Sequence, residues 1–471
     1  MFVCRSLLVL LLVGLVSCES GCYFNRQCAY PLYSSKTPYD TVRGDVRDHP
    51  KLEGCSAVSV WSLHRHGNRN PGSGVVESTR LVALMKDDII AAWEAGRGEL
   101  CAQDIDLFRA FQWNSTIEAS PSFLTGTGYD ELLHLGQRIR QRHPELVEGN
   151  LTDAVYFRVT NEQRTVASAM AYRHGLLGEE SDVPIDGPWD PDMVIRPYAF
   201  CERYTKEVRG EAAPVNAQID AFQNSAPYAA VVSAVQKRLG LTRSLTADEV
   251  YHFYELCRFD RSWQPALRSP WCAAFSDEDL VVLEYRDDIR HYYRNGYASW
   301  LNPRLGRPVI KDLLDTFTAA AEGAPRRVTA YFSHDTMLQM AFAALGLYKD
   351  EFTLVGDSMV PERQYRTSYI AAFSTNILAV LYRCGDSDNQ THRVQMFINE
   401  KETPLCPAGG CSWDQFQDHF QQFRDADLSF CNSTSAAGPD GGGNLPGGAV
   451  AVSVPVFLIL AQAAMFVLNR V

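Results

Sequence analysis

The sequence predicts an α/β fold: a mainly parallel sheet flanked by helices, with an all-helical cap inserted into it. Three observations predict it. Short apolar runs alternate with amphipathic stretches before residue 177 and again after residue 301, the pattern of buried strands joined by helices. Between 178 and 300 the helical period continues without strands. The apolar runs also end in turns rich in Arg and His, and open α/β sheets bind ligands beyond the carboxyl ends of their strands.

The elements follow in order. Residues 57–63 read as a buried strand, with a helical segment near 75–94 behind it. Residues 154–160 form a second strand and 164–177 a helix. The segments 217–239, 247–257 and 277–295 supply the cap. Residues 327–332 alternate like a strand, and 335–345 continue as an apolar-faced helix. Strands at 377–382 and 392–398 complete the sheet, so the α/β domain is discontinuous, 21–177 and 301–431, around the cap at 178–300.

The 471 residues are 46% hydrophobic, enough for a sizeable core, and carry a net charge of -12. That balance argues against nucleic acid as a partner, because phosphate backbones are met by basic surfaces. Residues 1–20 read as a secretory signal peptide, with Arg5 before an apolar run at 7–16 and small residues after it. The expected compartment is oxidising, so cysteines are read as disulfides. Cys4 and Cys18 fall in the leader, which leaves eleven of the thirteen and one unpaired thiol. Sequons at Asn114, Asn150, Asn389 and Asn432 fit a secreted glycoprotein.

At the other end, 449–471 form a hydrophobic tail behind a spacer of small residues and Gly at 432–448. This is the pattern of a GPI-attachment signal, with Ser433, Ser435 or Ala436 as the attached residue. A single-pass helix with a three-residue cytoplasmic end is the alternative. The expected location is the extracellular face of the plasma membrane, or the secreted pool.

The chemistry begins at Arg65-His66-Gly67-Asn68-Arg69-Asn70-Pro71, behind the first strand. Two guanidiniums can grip one phosphoryl group bidentately, and a neutral imidazole between them can attack phosphorus. Gly67 is expected to let substrate approach the backbone. Arg164 opens the helix behind the second strand, where free N–H groups favour phosphate. His334-Asp335-Thr336 ends the 327–332 strand; His334 can donate to phosphoryl oxygens, and Asp335 can cap the helix or protonate a leaving alkoxide.

These residues resemble the histidine acid phosphatase superfamily. Ser35-Lys36-Thr37-Pro38-Tyr39, Ser269-Pro270-Trp271-Cys272, Val282-Leu283-Glu284-Tyr285, the Val380-Leu381-Tyr382-Arg383-Cys384 strand end, and Arg393-Val394-Gln395-Met396 with Asn399-Glu400-Lys401 look like its multiple inositol polyphosphate phosphatase branch. The resemblance implies the histidine phosphatase fold and a two-step reaction without cofactor or metal. His66 would be the nucleophile, Asp335 the proton donor, and Arg65, Arg69, Arg164 and His334 the phosphate-binding groups. Implied substrates are inositol polyphosphates, including the hexakisphosphate, and bisphosphoglycerate. Lys36 and Lys206 are candidates for extra cations around such a substrate. The third motif departs from the branch, which carries His-Ala-Glu there; the His-Asp form belongs to acid phosphatases and fungal-type phytases. Asn68 and Asn70 also replace more usual Thr or Ala and Tyr residues. The same resemblance implies the pairs Cys55–Cys384, Cys257–Cys272, Cys406–Cys411, Cys201–Cys431 and Cys22–Cys28, which leaves Cys101 as the free thiol. A broad-specificity acid phosphatase is one alternative, and a surface binding protein on a dead phosphatase fold is another.

Overall fold

A mixed sheet of eight strands carries the fold, with residues 185–186, 155–159, 328–333, 55–65, 376–384, 391–398 and 401–402 side by side in that order and 411–412 beside 391–398. The structure is a computed structural model that describes residues 22–25, 32–386, 389–407 and 409–432. The expected leader, the hydrophobic tail, Cys28 and the attachment residues Ser433, Ser435 and Ala436 lie outside the described residues. Among the described residues no helix is long and apolar enough to cross a membrane.

The strands are β1 (Cys55–Arg65), β2 (Val155–Val159), β3 (Ile185–Asp186), β4 (Val328–Ser333), β5 (Asn376–Cys384), β6 (Thr391–Ile398), β7 (Lys401–Glu402) and β8 (Cys411–Ser412). β3, β2, β4 and β1 are mutually parallel, and β5 and β6 extend the sheet antiparallel. In the parallel half Arg65 pairs with Ser333 and Val159 with Phe332, so three strands end side by side. Antiparallel β5 begins at that same edge, because Asn376 pairs with His64.

Both faces are covered, as buried strands without polar alternation require. Helices Gly126–Arg142 and Gln163–Leu177 lay Leu132, Leu135, Ala169 and Tyr172 against Phe157, Ala330, Phe332 and Val380. On β1 the next residue, Trp61, turns the other way and donates to Asp312 of the Leu301–Ala321 helix at 2.8 Å. Helices Ala247–Trp263 and Asp277–Asn295 are joined through buried ion pairs, Arg258 lying between Glu255 and Asp287.

Two expected helices are each two. Residues 217–239 divide into Pro214–Gln223 and Ala226–Leu239, because Pro227 lacks an N–H and starts a new first turn. Residues 75–94 divide into Ser73–Ala83 and Lys86–Glu94. Within 178–300, the short strand β3 pairs with β2 at the sheet edge.

Four expected disulfides are present: Cys55–Cys384, Cys201–Cys431, Cys257–Cys272 and Cys406–Cys411. The fifth is corrected. Cys22 bonds Cys101, not Cys28, so Cys101 is not a free thiol. The Asp104 carboxylate accepts from the amides of Tyr23 and Phe24 at 3.1 and 2.8 Å, and so draws Cys22 onto the start of the Ala102–Ala110 helix. The four sequon asparagines, Asn114, Asn150, Asn389 and Asn432, are all exposed.

Candidate active site

Parallel register gathers the three motifs. The His66 amide donates to Ser333 O at 3.0 Å, and the Thr160 amide to Phe332 O at 3.4 Å, so the chain leaves β1, β4 and β2 into one crevice. The start of β5 closes the floor: Arg65 N donates to Thr375 O and Ser374 N to His66 O.

His66 is 2% exposed. Its Nδ1 lies 2.8 Å from Gly67 O, and a carbonyl only accepts, so Nδ1 carries the proton and Nε2 keeps its lone pair. Burial, then Arg65, Arg164 and Arg69, hold its pKa well below the ordinary histidine value. The ring is therefore neutral and nucleophilic. It meets the His334 ring edge-on, centroids 5.6 Å apart.

The cations are held from behind. Arg65 donates through one nitrogen to Ser35 O and Ala371 O, and stacks over Phe373 at 4.5 Å. Arg69 donates to Asn70 O at 2.7 Å, and Arg164 pairs with Glu162 at 3.1 Å. The Nε atoms of all three arginines are buried without a hydrogen-bond partner among the described residues. Burial, then Arg164 and Arg65, pull the Arg69 pKa down to about 10. Three guanidiniums that repel one another with donors unspent make a site for a dianion.

His334 lies between Thr160 Oγ1, 3.0 Å from its Nε2, and Arg164, 3.5 Å from its Nδ1. Arginine only donates, so Nδ1 accepts here and becomes a donor to an anion once protonated. Asp335 starts the Asp335–Ala344 helix, and its Oδ1 accepts the Thr336 amide at 3.0 Å. Burial disfavours its ionisation, but Arg65, His291, Lys36 and Arg69 outweigh that and hold the carboxyl below the usual carboxylate range.

Lys36 joins this cluster. It is buried, 3.9 Å from Glu255, and its pKa is lowered to about 7 by burial and then by Arg258. Lys206 does not join. It is exposed on the Glu202–Glu207 helix, and no described hydrogen bond, ion pair or ring contact links it to the site.

Gly67 has a different reason from the expected one. A methyl there would stand 2.3 Å from Gly128 O, so the glycine admits the Gly126–Arg142 helix and not the substrate. Asn68 is wholly buried: its side chain donates to Ser262 O at 2.9 Å and accepts from Thr125 at 2.8 Å. Asn70 donates to Ser120 O at 3.0 Å. Both asparagines thus tie the first motif to neighbouring segments.

Four contributors lay outside the motifs. His291 of the Asp277–Asn295 helix has its Nδ1 3.9 Å from Asp335 Oδ2. Gln339 connects the two, its amide donating to His291 Nδ1 and to Asp335 O. Arg196 shares Glu162 with Arg164 and is close enough to disfavour protonation of His334. Buried Glu131 accepts from Asn68 N and from the Ser374 hydroxyl.

Residues 58–399 match the family described as histidine phosphatase superfamily (branch 2). The chain belongs to that superfamily, and it is a histidine-type phosphatase. It is 30% identical over 470 residues to multiple inositol polyphosphate phosphatase 1 of Drosophila melanogaster, covering 96% of this chain and 99% of that one. The human protein of the same name is 24% identical, covering 86% and 90%. Among solved structures, the phytase from D. castellii superposes with a TM-score of 0.68 at 16% identity, covering 86% of this chain and 88% of the other. The multiple inositol polyphosphate phosphatase of Bifidobacterium longum, in complex with inositol hexasulfate, superposes at 0.59 and 16% identity, covering 80% and 94%. These structures share the fold.

Proposed function

We propose that this phosphatase hydrolyses inositol polyphosphates, including the hexakisphosphate, through a phosphohistidine on His66. One observation carries the reading: a neutral imidazole, its Nδ1 held by Gly67 O, stands among arginines whose Nε donors are unspent. His66 Nε2 attacks phosphorus, and the bond to the inositol oxygen breaks as Asp335 donates it a proton. Arg65, Arg69, Arg164 and His334 neutralise charge on the phosphoryl oxygens. Water then attacks the phosphohistidine, with the Asp335 carboxylate taking its proton and His66 leaving as the neutral ring.

The relatives' names support the substrate class, and buried Lys36 beside the site supports a substrate with more than one phosphate. The signal-like leader and GPI-like tail support secretion and surface anchoring, and the exposed sequons support glycosylation. The test is chromatographic analysis of products from inositol hexakisphosphate across pH, with acid-labile phosphoenzyme trapped by rapid quench. Ordered loss of phosphates with His66-bound label is expected, and no hydrolysis, or label elsewhere, overturns the reading. Phosphatidylinositol-specific phospholipase C should release the protein from cells; retention would favour a spanning helix.

A broad-specificity acid phosphatase is the second reading, favoured by the His334-Asp335 form of the third motif. Equal specificity constants for the hexakisphosphate and a simple aryl phosphate would select it.

A further inference from the structure

A run of buried polar side chains, Tyr365, Gln339 and His291, reaches Asp335, and the two-step reaction leaves it without a role. Its donors and acceptors can be assigned from one end. Burial holds the Tyr365 hydroxyl well above its ordinary pKa, so it keeps its proton. That proton goes to Gln339 Oε1 at 2.7 Å, the nearer of two acceptors, with His291 O at 3.2 Å. A methyl on Gly296 would stand 2.7 Å from Tyr365 Oη, so the glycine that ends the Asp277–Asn295 helix makes room for the phenol. With its carbonyl spent, Gln339 has its amide nitrogen left to give. That nitrogen lies 3.1 Å from Asp335 O and 3.2 Å from His291 Nδ1. Asn295 adds a second amide nitrogen 3.1 Å from Nδ1.

Amide nitrogens only donate, so Nδ1 accepts and the ring proton sits on Nε2. Among the described residues Nε2 has no hydrogen-bond partner. The tautomer is therefore imposed by Gln339 and Asn295, not by anything Nε2 gains. Nδ1 is also the nitrogen 3.9 Å from Asp335 Oδ2. A proton on Nδ1 would make His291 a cation paired to that carboxylate. Once charged, His291 joins Arg65, Lys36 and Arg69 in favouring the ionised form of Asp335. Around the ring, Asp335 and Asp287 favour its protonation, while Arg290 and Lys36 oppose it; burial is the largest influence and brings its pKa to about 3.

We propose that Gln339, fixed by Tyr365, is a positioning residue for the acid step: it occupies His291 Nδ1 and so denies Asp335 a cationic partner. The proposal rests on the reading of Asp335 as proton donor. As the bond from phosphorus to the inositol oxygen breaks, the proton on Asp335 passes to that oxygen and the carboxylate keeps the electron pair. A carboxylate locked to an imidazolium has no such proton to give. Gln339 is wholly buried, so it acts on the chemical step and not on affinity.

The test is the pH profile of kcat on inositol hexakisphosphate and on an aryl phosphate, for wild type, Gln339→Leu and Tyr365→Phe, each repeated in a His291→Asn background. Gln339→Leu should move the alkaline limb on hexakisphosphate about one pH unit lower, a loss of about tenfold there. KM and the aryl phosphate rate should not change. Tyr365→Phe is the milder variant, should the first disturb folding, and must shift the limb in the same direction. In the His291→Asn background both shifts should vanish, since no imidazole is left to charge. Nitrogen-15 spectra of labelled histidine should show wild-type His291 as the neutral Nε2–H tautomer. A charged or Nδ1–H His291 in wild type, an unmoved alkaline limb, or a shift that persists without His291 overturns the proposal. If Asp335→Asn slows both substrates equally, the acid reading fails and the proposal with it. If Asp335→Asn spares the aryl phosphate while Gln339→Leu moves nothing, the acid reading stands and the positioning role fails.

Discussion

Gly67 and Gly128 meet backbone to backbone: a methyl on Gly67 would stand 2.3 Å from Gly128 O, and one on Gly128 would stand 2.1 Å from Asn68 O. The contact fixes the first motif against the Gly126–Arg142 helix, whose Glu131 also receives the Asn68 amide at 2.9 Å. Gly67→Ala must push the turn away from the helix, at a cost of about 1–3 kcal/mol. The same shift separates Arg65 from Arg69. Thermal denaturation should show the lower midpoint, and kcat should fall by more than tenfold, because small misplacements of catalytic groups are costly. A Gly67→Ala enzyme with wild-type stability would show that the two backbones can part freely.

On the proposed reading, Lys36 makes substrate affinity depend on pH. Its pKa in the folded protein is about 7, against an ordinary 10.5, so it loses its charge as pH rises through neutrality. KM for inositol hexakisphosphate should therefore rise above pH 7, and Lys36→Met should flatten that rise. Stability runs the other way. The unfolded chain binds the additional proton between pH 7 and 10.5, so the penalty of burying Lys36 is full below 7 and is relieved toward 10.5. A wild-type KM that stays constant from pH 6 to 9 would remove Lys36 from the substrate pocket.

Buried Glu131 titrates in the opposite sense. Burial raises its pKa to about 7 against hydrogen bonds from Ser374, Asn68 and Tyr39. The folded state holds a proton that the unfolded chain loses above 4.5, so Glu131 costs stability progressively from pH 4.5 to 7. In Glu131→Gln the amide oxygen can still accept from Asn68 and Ser374. Its thermal midpoint should gain on wild type across that window and then run parallel to it. A difference between the two midpoints that does not change with pH would contradict this assignment.

The site was legible in sequence where strand and motif coincide. The apolar runs before Arg65, Thr160 and His334 mark three strand ends, and parallel register does the rest. His291 was not legible, because it lies in an amphipathic helical pattern outside the quoted motifs and reaches Asp335 only once the Asp277–Asn295 helix packs against the Asp335–Ala344 helix. Glu131 is hidden for the same reason in the Gly126–Arg142 helix, and Arg196 lies in an irregular segment outside the motifs. Gly67 was visible, but its reason was not, since a glycine in a turn does not say whether a ligand or another backbone approaches it. The break at Pro227 was written in the chain, yet the apolar period ran across it. The family resemblance implied Cys28 for Cys22, whereas Asp104 brings Cys101 instead.

That bridge gives a separate prediction. Cys22–Cys101 closes a loop of 79 residues and anchors the segment at Tyr23 and Phe24. Non-reducing peptide mapping should recover the two cysteines in one linked pair. Cys101→Ser should lower stability by about 2–4 kcal/mol. Alkylation of Cys101 in the native, unreduced protein would refute the pairing.

Asp335 is the group whose role depends on the leaving alcohol. Arg65, His291, Lys36 and Arg69 overcome its burial and hold its carboxyl below the usual carboxylate range. A polyphosphate dianion offsets those cations when it binds, which raises the carboxyl's proton affinity at the moment a donor is needed. An inositol alkoxide is a poor leaving group and requires that proton, whereas an aryl phenolate does not. Asp335→Asn should therefore cut kcat on inositol hexakisphosphate by about 10²–10⁴ and kcat on an aryl phosphate far less. His66→Ala should abolish both, because it removes the proposed nucleophile. Parallel kinetics on the two substrates make the distinction: an equal loss in Asp335→Asn would assign Asp335 to holding the Asp335–Ala344 helix and its His334, not to proton transfer.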